Sequence, residues 1–276
     1  MTHPGARSTT PQACEGIDVP AGGHALADAL AKAPSGARLC LQAGEHEGGI
    51  SLTRSVTLIG VAGAEKTILK APPRLAVVSV DEDGLSIRLA GLTLQDGQSD
   101  AGGGLRVQGR GKVQVSDCRF TNNRADMVGG GALYARAGLL TLERCQLDHN
   151  QARQGGAIFL DQVVHAELTR CIIADNSADF AGALRIAEGV VVAVKVTTMS
   201  GNVGRDGVGV HVSGTRSRVP TVDFQHCSIA DGELSNGPEI PGVIHLQSSK
   251  VPSQWRALAG VVDQGGNSSP PSAKSL

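Results

Sequence analysis

The sequence predicts an all-β fold: a parallel β-helix of about eight turns, a single-stranded solenoid closed by an N-terminal cap helix. Three observations predict it. Glycine keeps a ruler, with GGGL ending at Leu105, GGAL at Leu133, GGAI at Ile158, AGAL at Leu184 and GVGV at Val210, at intervals of 28, 25, 26 and 26 residues. Other columns share that phase: Cys118, Cys145 and Cys171; the apolar Leu94, Phe120, Leu147, Ile173 and Met199; and the asparagines Asn123, Asn150, Asn176 and Asn202. Glycine makes up 37 of the 276 residues, whereas the rings are four Phe, one Tyr and one Trp, so the core has to be built of stacked small aliphatics.

The elements follow in chain order. Residues 1–13 read as a disordered start and 14–37 as an N-terminal cap. Its helix spans 24–33, with Leu26, Ala29, Leu30 and Ala33 at helical spacing and Pro34 and Gly36 beyond. The coil occupies 38–250. Ile50 and Val78 extend the ruler upstream, and Ile244 lies 34 residues past Val210 after an insertion. Pairs such as Val113/Val115, Leu140/Leu142, Ala166/Leu168 and Val192/Val194 alternate with polar or neutral residues, and period two inside period 26 means short strands, three to a turn. Successive turns then stack at about 4.8 Å. Asparagines repeated at one bend form a structural ladder, and the glycines before each first strand serve a tight corner through positive φ or close backbone approach. Residues 251–263 read as a C-terminal cap with Trp255 as a lid, and 264–276, rich in Ser, Pro and Gly, as a disordered tail.

The cysteines fall into two sets. Cys118, Cys145 and Cys171, extended by Cys227 after Thr197, form a row of buried thiols; their spacing and the lack of paired histidines give no tetrahedral zinc site. Cys14 and Cys40 flank the cap helix. A disulfide there would pin the cap to the first turn with about 3 kcal/mol, and two free thiols in a reducing compartment fit the spacing equally.

The stretches "LQAGEHEGGISLTRSVTLIG", "VQVSDCRFTNN", "LTLERCQLDHN" and "GGAIFL" resemble the right-handed parallel β-helix family of the pectate-lyase type, over roughly residues 38–250. GGAI with Phe120-Thr121-Asn122-Asn123 is also similar to the repeats of polymorphic outer-membrane autotransporter passengers. That likeness implies an extracellular or cell-surface location, although no C-terminal barrel pattern follows. The first thirty residues lack the charged start and apolar run of a secretory signal, which leaves a cytosolic chain or a piece of a longer protein open.

A formal charge of −1, with no basic run among aromatics, argues against a nucleic-acid partner, and no apolar stretch is long enough to cross a membrane as a helix. Function is sought on the outward column of the first strands: Arg106, Tyr134, Phe159, Arg185, His211 and His245, with Arg136 and Asp161 two residues on. Tyr134 and Phe159 are expected to stack in solvent between Arg106, Arg136 and Arg185, as a sugar face and an acidic sugar would favour. Arg106, Tyr134, Arg136, Phe159, Asp161, Arg185 and His211 are therefore the expected ligand surface, and a polysaccharide or cell-surface glycan the expected partner. Cross-strand packing of the same rings with no ligand is the alternative reading, and the weightier of the two. Asp126, Arg153, Asp179 and Arg205 read as an ion-pair ladder. Its acids are diluted by arginines, so no catalytic constellation emerges, no cofactor is expected, and calcium enters only if the chain is a lyase. A carbohydrate-binding module, a polysaccharide lyase or hydrolase, and a structural or adhesive scaffold remain as readings from three classes.

Overall fold

The structure is a computed structural model that describes residues 14–269 except 137, 164, 205–207, 231–232 and 237–240. It is a parallel solenoid. One turn runs Leu105–Val107, Lys112–Ser116, Arg119–Thr121 and Arg124–Gly129 before Leu133–Ala135 opens the next. Like strands of successive turns pair in parallel. Sheet I holds the eight strands from Ile50–Ser51 to Glu233–Asn236, and sheet II eleven from Ile17–Val19 to Val261–Asp263. Sheet III holds eight, from Gly44–Glu47 to Ser228–Ile229, and sheet IV five, from Gln98–Ala101 to Val203–Gly204.

The expected columns stand in register. Val78, Leu105, Leu133, Ile158, Leu184 and Val210 align through sheet I, and Leu94, Phe120, Leu147, Ile173 and Met199 through sheet III, all fully buried. At the bend between sheets III and IV the asparagine amides form a chain. Asn123 Nδ2 donates to Asn150 Oδ1 at 3.0 Å, Asn150 to Asn176 at 2.9 Å and Asn176 to Asn202 at 2.8 Å. Each amide donates a second time to a carbonyl of the preceding turn, that of Leu94, Phe120, Leu147 or Ile173. Corner backbone that would otherwise be buried unpaired is thereby satisfied.

Two corners are turned by single left-handed residues, and most are not glycine. Asp117, Arg144, Arg170, Val196, His226 and Ser248 precede the cysteine column, and Asn122, His149 and Asp175 precede the asparagines, all at positive φ. The glycine-rich corner uses both devices: Gly102, Gly130 and Gly155 have positive φ, and a Cβ on the next glycine, Gly156, would lie 2.3 Å from the Gly182 carbonyl oxygen.

Both ends are closed. The helix Ala25–Lys32 buries Leu26 on the first turn, and Cys14 and Cys40 form a disulfide with Cα atoms 5.9 Å apart. At the other end Trp255, in the 3-10 turn Ser253–Ala257, is wholly buried with its ring edge-on to Phe224, centroids 6.0 Å apart.

Three expectations are corrected. Each middle turn has four strands, because the segments after the asparagines form sheet IV. Ile244 belongs to sheet II opposite Val222, not to sheet I; there Leu234 lies opposite Val210, and His245 pairs with Asp223 rather than following His211. The insertion that misled the count includes the bridge between Thr215 and Arg218. The stretch read as a tail from 264 continues a turn, since Ser248 N donates to Gly265 O, Ser249 N to Asn267 Oδ1 and Val251 N to Ser268 O. Residues 1–13 and 270–276, also read as disordered, lie outside the described residues.

Two substitutions test the stacking. Gly156→Ala drives a Cβ into rigid backbone and is expected to cost about 3 kcal/mol in urea unfolding. Val196→Asn, at an exposed β-branched residue with φ 53°, is expected to add about 1 kcal/mol by the same measurement.

Candidate functional site

The outward column of sheet I carries the expected site residues in the expected order, with Ser51, Ser79, Arg106, Tyr134, Phe159, Arg185 and His211 opposing one another turn by turn. The expected exposure is corrected. Tyr134, Phe159 and His211 are only 5%, 8% and 6% exposed, because sheet IV folds back over them. Ala101 from sheet IV joins Tyr134, Phe159 and Ala187 in a second apolar cluster outside the main core. The backbone at Gly129 presses on Phe159, where an added Cβ would sit 2.8 Å from the ring, and the Phe180 ring of sheet IV lies 4.4 Å from the His211 ring.

The polar members of this row are tied to their neighbours. Tyr134 and Phe159 meet edge-on, with centroids 5.5 Å apart. The Tyr134 hydroxyl donates to Asp161 at 3.1 Å, and the Arg136 guanidinium lies 3.3 Å from the same carboxylate. Burial and the Asp161 charge push the Tyr134 phenol up to about 12. Arg185 sits 5.7 Å from the Phe159 ring centre, donates to the Ile186 carbonyl and to Ser213 Oγ, and is lowered to about 10 by burial. His211 Nδ1 is buried without a partner among the described residues, and desolvation with the nearby Arg185 charge lowers the imidazole to about 3.

Toward the N-terminus the same column lies open. A groove of about 610 Å³ runs over Ser51, Ser79 and Arg106, walled by Gln98, Ser99 and Asp100 at the free edge of sheet IV and by the loop carrying Arg74 and Leu75. Arg106 bonds Asp81 through one terminal nitrogen at 2.8 Å, while its Nε is buried with no acceptor among the described residues. Asp126, at the groove's border, accepts from Arg124 and from Gln98 Nε2, and these bonds hold its carboxyl below the ordinary range. Of the expected surface, then, only Arg106 lines the groove. Sequence reading missed Ser51, Ser79, Arg74, Gln98 and Asp100. The two serines were within reach as the outward neighbours of Ile50 and Val78.

In the expected ion-pair ladder, Asp126 pairs with Arg124 rather than with the next turn, and Arg205 lies outside the described residues. Elsewhere Asp148 is almost wholly buried beneath a two-pronged bond from Arg119. Burial disfavours the thiolate form in the column: it raises Cys118 to about 12 and lifts Cys145 in the same direction.

Such stacked parallel sheets define the class of the protein, a parallel β-helix. The family described as "Right handed beta helix region" matches residues 79–229, more than half of the chain, and the chain belongs to it. No curated protein matches the chain. Among solved structures, the PL6 family alginate lyase AlyGC is similar with TM-score 0.48 and 14% identity, covering 96% of this chain and 41% of that one. An arginine-to-alanine mutant of that lyase gives 0.52, 13%, 96% and 42%. A pectin methylesterase mutant in complex with a hexasaccharide gives 0.42, 10%, 90% and 88%. The chain spans about two fifths of the lyase's length, and at these identities the likeness is one of fold. No helix among the described residues is long and apolar enough to cross a membrane.

The buried neutral His211 sets a pH dependence. Its folded value near 3 lies below the unfolded 6.5, so its stabilisation is complete above about pH 6.5 and declines as the pH falls toward 3. Between pH 7.5 and 4.5 unfolding free energy should fall by about 2–3 kcal/mol on this account. In His211→Gln that share of the fall should vanish when urea unfolding is compared at the two pH values.

Proposed function

We propose that the chain is a non-catalytic β-helix module that binds an extended carbohydrate in the groove over Ser51, Ser79 and Arg106. The observation that carries this reading is the groove's chemistry. A floor of two hydroxyls ends at a partly exposed guanidinium, and the apolar Leu75 and the side-chain amide of Gln98 stand in the walls. Hydroxyl-rich rings present acceptors, donors and apolar faces together, which this mixture matches. The lyase mutant that shares the fold at TM-score 0.52 is named for alginate, a polysaccharide. An oxidising extracellular or cell-surface setting accords with the Cys14–Cys40 disulfide.

A glycan array of neutral and acidic polysaccharides tests this reading, followed by Arg74→Ala and Arg106→Gln. Both variants should lose at least tenfold in affinity while keeping a cooperative unfolding transition, whereas Phe159→Leu, behind sheet IV, should bind as the parent does. Unaltered binding in both arginine variants, or no binding to any glycan, would remove the groove from consideration. Incubations with calcium and with a chelator, followed for unsaturated sugar product, should stay blank; product in either would overturn the non-catalytic assignment.

A further inference from the structure

The geometry points to a groove that takes the end of a carbohydrate chain rather than its middle, and an end that carries a carboxylate; this rests on the carbohydrate reading above. The floor column is exposed at Ser51, half-buried at Ser79 and Arg106, and buried at Tyr134, one turn further on. At Tyr134 the column stops being a floor. Its ring packs against Phe159 and Ala101, and sheet IV roofs the row as far as His211.

The groove therefore runs along the solenoid axis for three turns and closes just past Arg106. A chain passing through would have to displace the Tyr134 ring and the sheet IV strands above it, which are tied turn to turn by the asparagine ladder. On the opposite side the floor ends at Ser51, which is exposed among the described residues. A volume of about 610 Å³ suits a ligand of about two or three sugar rings. What waits at the closed end is the Arg106 guanidinium, its side chain 31% exposed and one terminal nitrogen bonded to Asp81. A carboxylate on the terminal sugar accepts from the exposed part of that guanidinium with charge assistance, and a neutral hydroxymethyl group accepts only weakly.

Isothermal titration of the full chain with oligogalacturonates and oligomannuronates of two to eight residues, their parent polymers, and maltooligosaccharides of equal length tests this. Affinity for at least one acidic series should rise to about three residues and then level off. Its polymer should take up one protein per chain whatever the chain length, and the neutral series should bind at least tenfold more weakly. Stoichiometry that grows with chain length would overturn end recognition while leaving carbohydrate binding intact. Equal or tighter binding of the neutral series would overturn the acidic end alone. No binding to any of the three series overturns the proposal, and the glycan array then separately decides the carbohydrate reading.

Discussion

Everything in this molecule depends on one interaction, the parallel backbone hydrogen bonding that lays each turn on the last at about 4.8 Å. Under that constraint a residue's chief neighbour is its own counterpart one turn away, so the chain is composed column by column. The cysteine column shows what is being selected. Where it runs out of cysteine it continues as Thr197 and, two places on, Ser249, and the geometry persists: Cys118 Sγ donates to the Ser116 carbonyl, Thr197 Oγ1 to that of Lys195 and Ser249 Oγ to that of Gln247, each two residues back. The requirement is a small buried donor that ties down the corner. A thiol meets that requirement as a hydroxyl does, so the corner geometry alone accounts for Cys118, Cys145, Cys171 and Cys227.

Columns repeat, and repetition is what made so much of the fold legible. Five glycine corners, a run of four asparagines and an apolar column without exception specify the period, the inward faces and the core before any coordinate is known. Legibility failed where a column carries little signal. Sheet IV went unread because its buried side chains include the alanines Ala101, Ala125 and Ala152, too small to stand out as an alternating apolar strand. Its absence from the reading then inverted the exposure of Tyr134 and Phe159. Period two tells which side of a strand a residue occupies and says nothing of what lies on that side. The ruler also slipped once, at Ile244, because the insertion after Val212 adds residues that belong to no column.

The groove is a consequence of where sheet IV begins. Its first strand is Gln98–Ala101, and one turn earlier the chain reads Ala71-Pro72-Pro73-Arg74. Two consecutive prolines have no N–H to donate to a ladder, so no strand of sheet IV forms below Gln98, whose N–H is met instead by the Leu75 carbonyl of the loop. That loop brings Arg74 and Leu75 to the wall and leaves Ser51, Ser79 and Arg106 without a roof. The open and closed halves of one column thus trace to a local backbone rule. The same rule explains why the rings, chosen from sequence as a platform, serve as a plug.

A buried donor left unpaired costs about 1–3 kcal/mol, and a flexible side chain would ordinarily swing out to avoid it. Arg106 is not at liberty to do so. Its strand pairs on both sides, with Ser79 and with Tyr134, and Asp81 holds the far end of its guanidinium. The solenoid therefore holds the guanidinium in place at the end of the groove before any ligand arrives, with part of the side chain left exposed to an acceptor that enters. Rigidity that began as a requirement of stacking becomes preorganisation at the one place where the stack is left open.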